Sequence, residues 1–385
     1  MNSLELFTGG GGLALGVERG GFAHLALIER DRDSCVTLRH NRPDWAVIEQ
    51  DVRDIEYRAY CGRVDLLAAG APCQPFSLGG KHAGQNDKRN LFPEVVRAVR
   101  ELQPRAFLIE NVRGLTRKSF LPYFHYIIAQ LRQPTVRPRP GEDWFEHHER
   151  LGKSTTGELT YRVGYGVVNA ADYGVPQERQ RVFIVGFRAD EAADWAWPEP
   201  THSREALIAS QKITLTYWRA HGLKPPSREL VRVARPRLGE PMERWETLRD
   251  ALAALPDPCG EEAQVVPNHI YVPGARPYKG HTGSNLDWPA KTLKAGDHGV
   301  PGGENTLTDS TGTFRYLTVR EAARVQTFPD NWTFVSSRTE AMRQIGNAVP
   351  VELAEVFSAS IRHALEAHSP VPSSRPDLRV LPARR

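Results

Sequence analysis

The sequence predicts an α/β protein: a doubly wound, mostly parallel sheet with a smaller irregular domain added late in the chain. Three observations predict it. Short apolar runs alternate with helix-periodic stretches through the first 110 residues, the pattern that builds parallel sheets. A run of glycines, Gly9-Gly10-Gly11-Gly12, follows almost directly on the first apolar run. The alternation stops near residue 188, and helical periodicity returns from Thr318.

Taken in order, Leu4 to Phe7, Ala23 to Ile28, Trp45 to Ile48, Val64 to Ala69 and Ala106 to Ile109 read as buried strands. Helical stretches such as Ser34 to His40 and Phe92 to Leu102 lie between them. Tyr165 to Asn169 and Arg181 to Phe187 continue the strand pattern. Residues 190 to 315 are rich in Pro, Gly, Trp and Arg. Charge clusters locally there, with five basic residues against one acid between Lys224 and Arg237. Over 189 to 318 the balance is 15 basic to 17 acidic, so the region is not uniformly cationic. Val351 to Leu365 keeps apolar residues at 354, 357, 361 and 365, a helical stripe. Pro350 suits its first turn. The expected division is a large domain over 1–188, an inserted module over 189–317, a return segment over 318–368 that completes the large domain, and a disordered tail over 369–385.

Bulk properties narrow the class. The chain has 385 residues, 40% hydrophobic and 25% charged, as a folded enzyme has. Its net charge is +4 and its pI about 8.9, which leans towards a polyanionic partner. No apolar run reaches the roughly 18 to 20 residues that span a bilayer, and the first residues show no basic leader. A reducing cytoplasm is the expected compartment. Cys35, Cys61, Cys73 and Cys259 show no CxxC pairing and no histidines at zinc spacing, so no metal is expected.

Phe7-Thr8-Gly9-Gly10-Gly11-Gly12 lets the backbone turn sharply and approach a bound molecule closely. Glu29 ends the second apolar run and Asp51 follows the third. In a doubly wound sheet those strand ends face one crevice. Glu29 is then placed for ribose hydroxyls and Asp51 for an adenine edge, or each acid simply caps the segment that follows. The loop lacks GxGxxG spacing, which argues against a nicotinamide enzyme.

Gly70-Ala71-Pro72-Cys73-Gln74-Pro75 ends the fourth apolar run. Two prolines stiffen the backbone around Cys73, beside the expected crevice. Glu110 sits on the next strand end, in Glu110-Asn111-Val112. Arg179 and Arg181 are two apart, so an extended chain points both to one side.

Together these segments resemble the bacterial DNA cytosine-5 methyltransferase family, over most of the chain and in the family's order. Phe7 to Gly12 resembles the cofactor loop, Pro72-Cys73-Gln74 the nucleophile motif, Glu110-Asn111-Val112 the acid motif, and Gln177-x-Arg179-x-Arg181 the paired arginines. Arg320 to Pro329 and Gln344 to Pro350 resemble its two closing elements. Glu5 and Thr8 depart from the family's usual Asp and Ala. The resemblance implies a methyltransferase fold that uses S-adenosylmethionine as co-substrate. It implies cofactor contacts from Phe7, Gly9, Gly11, Glu29, Asp51, Val52, Pro72, Leu91 and Asn347.

It also implies a mechanism. Cys73 thiolate adds to carbon 6 of a flipped cytosine, and carbon 5 then takes the methyl group. Protonated Glu110 hydrogen-bonds ring nitrogen 3, a role that favours a desolvated pocket. Asn111 fixes that loop. Arg179 and Arg181 lower the thiol pKa and hold the base's carbonyl or a phosphate. Ser77 to Gln85 fits a mobile lid, and 190 to 315 a target-recognition domain. Within that domain Lys224 to Arg237 suits phosphates and Lys291 to Lys294 suits bases. The implied partner is double-stranded DNA, met by a monomer in the cytoplasm at the nucleoid, alongside a cognate restriction endonuclease. A transfer-RNA cytosine-5 methyltransferase is the alternative.

Overall fold

The computed structural model describes residues 1–72, 90–153, 158–191, 194–226, 242–277, 282–295, 305–309, 311–367, 378 and 380–381. Their elements form two compact units. One comprises Met1–Val168, Gln180–Pro198 and Ala354–Arg385, and the other Asn169–Arg179 and Glu199–Leu353.

The first unit is built on β1 (Asn2–Leu6), β2 (Ala23–Glu29), β3 (Val47–Glu49), β4 (Leu66–Gly70), β5 (Ala106–Val112), β6 (Tyr161–Asn169) and, after the short β7 (Gln177–Glu178), β8 (Gln180–Arg188). Apart from β7 these make one sheet in the order β3-β2-β1-β4-β5-β8-β6. The first five pair in parallel, and β8 runs antiparallel to β5. Continuous apolar runs such as Leu66-Leu67-Ala68-Ala69 suit strands covered on both faces. The helices are α1 (Gly12–Arg19), α2 (Arg32–Asn41), α3 (Phe92–Leu102), α4 (Leu121–Arg132) and α5 (Trp144–Lys153). α2 starts where Asp31 accepts a bond from the Ser34 amide at 2.9 Å, an ordinary N-cap. α3 has Pro93 in its first turn and ends at Gln103, whose φ of 50° is left-handed.

The second unit holds α6 (Arg204–Lys212), α7 (Thr216–Ala220), α8 (Leu248–Leu252), α9 (Val319–Val325) and α10 (Arg338–Asn347), with short strands between them. Its tryptophans are structural: Trp218 and Trp245 pack with Leu207 and Tyr217 in a small core. α9 opens on a reciprocal cap between Thr318 and Glu321. Arg320 is fully buried, and its guanidinium donates to the carbonyls of Pro267, Pro329 and Trp332.

Two expected boundaries move. Residues 318 to 353 fall in the second unit, not in a return segment, where Arg320 donates to the Pro267 carbonyl and Arg179 to those of Gly346 and Ala348. Only α11 (Val351–Glu366) brings the chain back to the first unit, from Ala354 onward. It does so tightly. Ser358 Oγ donates to the Gly16 carbonyl at 3.0 Å, Arg362 to that of Gly21 at 2.6 Å, and Phe357 stacks on Phe183 at 4.3 Å. A Cβ at Gly20 would stand 2.1 Å from Ser358 Oγ. Of the expected tail, residues 369–377, 379 and 382–385 lie outside the described residues. Leu378 is buried, and the Leu381 amide donates to the Tyr165 carbonyl at 3.0 Å, an isolated bridge to β6.

Close packing at the junction of β5 and β8 yields a test. Phe107 faces Gly186 across the ladder, and a Cβ there would stand 2.2 Å from the Phe107 ring. Gly186→Ala should lower stability by about 1 to 3 kcal/mol by overpacking, read as a lower urea midpoint at unchanged slope.

Candidate active site

The parallel strands deliver their carboxyl ends to one edge. β1 ends in a left-handed turn, with φ of 59° at Phe7, 55° at Gly9 and 91° at Gly11. Phe7 is therefore a turn residue rather than the last residue of the strand. A Cβ at Gly9 would enter open space, so the glycine serves the turn. β2 supplies Glu29, which clamps two neighbours: its Oε2 accepts the Gly9 amide at 2.8 Å and its Oε1 the Asp31 amide at 2.7 Å. Asp51, after β3, accepts the amide and both guanidinium arms of Arg53 at 2.7 to 3.0 Å, with Arg30 at 3.5 Å. The Arg53 bond, foremost, holds its carboxyl well below the usual carboxylate range. The Val52 side chain is buried, and its carbonyl takes Tyr57 Oη and Arg97 Nη2.

β4 leads through Ala71 to Pro72, which is half-buried. Asn111 Nδ2 donates to the Ala71 carbonyl at 3.0 Å, tying this loop to the strand that carries Glu110. Cys73 and the expected lid from Ser77 to Gln85 lie outside the described residues. Leu91 is buried at the start of α3. Asn347 ends α10, in the second unit, and is exposed.

Glu110 is buried at 7% exposure, and Arg181 Nε meets its Oε1 at 2.8 Å. The register of β5 and β8 sets Val112 against Arg181, which brings the two side chains together. So enclosed, each charge depends on the other.

The two arginines of the QxRxR segment part company. Arg179 belongs to the second unit, has no exposed surface, and gives its guanidinium to the carbonyls of Leu293 at 3.2 Å, Gly346 at 2.7 Å and Ala348 at 2.9 Å. These bonds hold the chain on both sides of Asn347, while Cys73, beside which Arg179 is expected, lies outside the described residues. The two arginines part at the break between β7 and β8: the Arg179 carbonyl accepts the Ala170 amide, and the extended alternation ends there. Lys291 and Lys294 are exposed, on a segment where the Leu293 amide donates to Gln177 Oε1 at 3.0 Å. Lys224 is exposed, while 227–237 lie outside the described residues.

One buried group stands out that sequence reasoning treated as a mild departure. Glu5 has no exposed surface and no close hydrogen-bond partner among the described residues. Burial, then the negative charge of Glu29, pushes its carboxyl well above the usual range, opposed by the Ala14 amide. An acid inside an apolar strand was the available signal. Among the described residues no group of His, Cys, Asp and Glu could hold a metal, and no helix is long and apolar enough to cross a membrane.

A family model described as C-5 cytosine-specific DNA methylase matches residues 1–134 and 152–363. The chain is 35% identical to the Type II methyltransferase M.NgoMIV of Neisseria gonorrhoeae, over 94% of this chain and 98% of that protein. It is 34% identical to M.PspPI of a Psychrobacter strain, over 94% and 79%. Among solved structures, S. pombe Dnmt2 methyltransferase shares the fold with a TM-score of 0.56 and 16% identity, over 95% and 99%.

The Glu5 environment makes a signed prediction. A raised folded-state pKa means that protonated Glu5 contributes stability fully below the unfolded value near 4.5, lost as pH rises towards the folded value. Glu5→Gln removes that dependence, so the stability of the variant relative to the parent should grow from pH 5 to pH 9 in thermal melts. A gap that stays flat with pH would contradict a neutral Glu5.

Proposed function

The chain belongs to the C-5 cytosine-specific DNA methylase family and is a DNA (cytosine-5-)-methyltransferase, and we propose that its chemistry runs between Cys73, Glu110 and Arg181 at the carboxyl edge of the sheet. The observation that carries this reading is the buried Arg181–Glu110 pair at 2.8 Å, whose strand is tied by Asn111 to the root of the Cys73 loop.

S-adenosylmethionine fits the residues at the edge: a left-handed glycine turn, the Glu29 carboxylate held to its Gly9 amide, and Asp51 one strand further. When bound it supplies an electrophilic methyl group. Phe7, Gly9, Gly11, Glu29, Asp51, Val52, Pro72, Leu91 and Asn347 are the proposed contacts, with Glu29 on ribose hydroxyls and Asp51 on the adenine edge. Both acids already have partners, so each accepts ligand donors with its remaining lone pairs.

Cytosine carbon 5 is a weak nucleophile. Addition of Cys73 thiolate to carbon 6 forms a carbon–sulfur bond and moves the ring's electron pair towards carbon 5. Glu110, protonated from solvent once Arg181 releases it, donates a hydrogen bond to ring nitrogen 3, where charge develops. Arg181 holds Glu110 before the base arrives and turns to the base carbonyl afterwards. Carbon 5 takes the methyl group, a base removes its proton, and the thiolate leaves. Water is the candidate base. Arg179 acts at a distance, by holding the chain around Asn347.

We assign double-stranded DNA as substrate, with specificity in the 189–317 region and a restriction endonuclease acting on the same site. The support is the Type II methyltransferases 34 to 35% identical over most of this chain. The alternative is a transfer-RNA cytosine-5 methyltransferase with the same core, against which the length of the recognition region speaks. Action on the cell's own duplex DNA places the protein in the cytoplasm.

Duplex DNA with 5-fluorocytosine at the target tests the mechanism, because fluorine cannot leave as a proton does. With cofactor present it should trap the chain as an adduct stable to detergent, and Cys73→Ser should give none. An adduct formed equally by that variant would remove Cys73 from the mechanism. For the cofactor site, Glu29→Ala and Asp51→Ala should each weaken S-adenosylmethionine binding by about 0.5 to 3 kcal/mol in calorimetry, with unchanged DNA sequence preference.

A further inference from the structure

The strand that carries Glu110 leaves the sheet through a positively charged turn. From Asn111 to Gly141 the chain has six arginines and lysines and no aspartate or glutamate. Three of the six, Arg113, Arg117 and Lys118, follow directly on β5. Their backbone is fixed by its own bonds. Residues Arg113–Thr116 form a 3-10 turn. Thr116 Oγ1 donates to the Arg113 carbonyl at 3.0 Å, and the Arg117 amide to that of Gly114 at 3.3 Å. The Phe120 and Leu121 amides both donate to the Arg117 carbonyl, at 2.9 and 2.8 Å. Arg113 and Lys118 are exposed and Arg117 is half-buried.

These charges lack counter-charges. Several other arginines of the unit are held by acids, among them Arg53 by Asp51, Arg97 by Glu94, Arg105 by Glu191 and Arg150 by Glu142. Among the described residues none of the three cations has a carboxylate within ion-pair distance. Arg113 instead donates to the side-chain oxygen of Gln180, a neutral acceptor. Gln180 precedes Arg181, so Arg113 lies one ladder step outside the buried Arg181–Glu110 pair. α4 begins just beyond with neither a side-chain cap nor an acid in its first turn, and its dipole adds the same sign.

We infer that Arg113, Arg117 and Lys118 form a phosphate-binding turn that grips the backbone of the DNA strand carrying the target cytosine; the inference rests on the methyltransferase reading above. A flipped nucleotide stays tethered to a phosphate on each side, so if Glu110 takes the base, anionic charge must come close to the same strand end. A rigid, uncompensated cationic turn there meets that charge without reorganisation. Phosphate contacts position the duplex and carry no sequence information.

The test is the salt dependence of duplex affinity, measured by anisotropy for the parent, Arg113→Gln, Arg117→Gln, Lys118→Gln and the triple variant. Each single change should lower the log–log slope by about 0.9, and the triple by about 2 to 3. Affinity should fall equally for specific and unrelated duplexes, with cofactor affinity and melting temperature held. Arg113→Lys should keep the parental slope, which separates the charge from the bond to Gln180. Unchanged slopes, a loss confined to one DNA sequence, or an effect on transfer RNA but not on duplex DNA would each overturn the assignment. Methyl transfer by the parent to the same duplex is measured alongside. Its absence would sink the methyltransferase reading, whereas flat slopes with an active parent sink only the turn.

Discussion

Parallel pairing of β1 to β5 is the constraint on which the rest of the first unit depends. It brings the turn after Leu6, Glu29, Asp51, the Pro72 loop and Glu110 to one edge, although they are spread over more than a hundred residues. Local bonds then join neighbouring strand ends: Gly9 to Glu29, and Asn111 to Ala71. Each bond lies at or next to a residue proposed to act on a ligand. The site is therefore positioned by the sheet rather than by its loops.

Buried charge is handled in three ways. Arg179 and Arg320 are wholly buried and spend their guanidinium donors on main-chain carbonyls, which are fixed and do not change in a reaction. Removing either would leave several acceptors unsatisfied, each at about 1 to 3 kcal/mol. Arg181 instead faces a carboxylate, whose bond can be exchanged for one to a ligand. Enclosure alone does not mark a site, since Arg315 and Glu321 are as enclosed at a helix cap; the place of the Arg181–Glu110 pair at the carboxyl edge of the sheet is what supports its proposed role. Glu5 is a third case, a buried acid under the glycine turn with the charge of Glu29 nearby.

Much of this was legible in the chain. Strand ends are marked by apolar runs that stop at Glu29, Gly70 and Glu110, because a strand buried on both faces tolerates few polar residues. The separation of Arg179 from Arg181 was not legible. A two-residue spacing predicts a shared side only while the strand continues, and the break at Arg179 depends on its bonds to Leu293, Gly346 and Ala348, more than a hundred residues away. Two of these bonds fall within 318 to 353, a stretch of the second unit whose local periodicity reads only as helix. Composition likewise marked 190 to 315 as rich in tryptophan without revealing that Trp218 and Trp245 form a core.

The central claim is that this edge transfers a methyl group to carbon 5 of cytosine in duplex DNA. The most direct measurement is transfer of tritiated methyl from S-adenosylmethionine to duplex DNA, followed by bisulfite mapping of the product. Label should appear in the duplex, with bisulfite-resistant cytosines at one recurring sequence. Label found only in transfer RNA, or labelled DNA whose cytosines all remain bisulfite-sensitive, would contradict it.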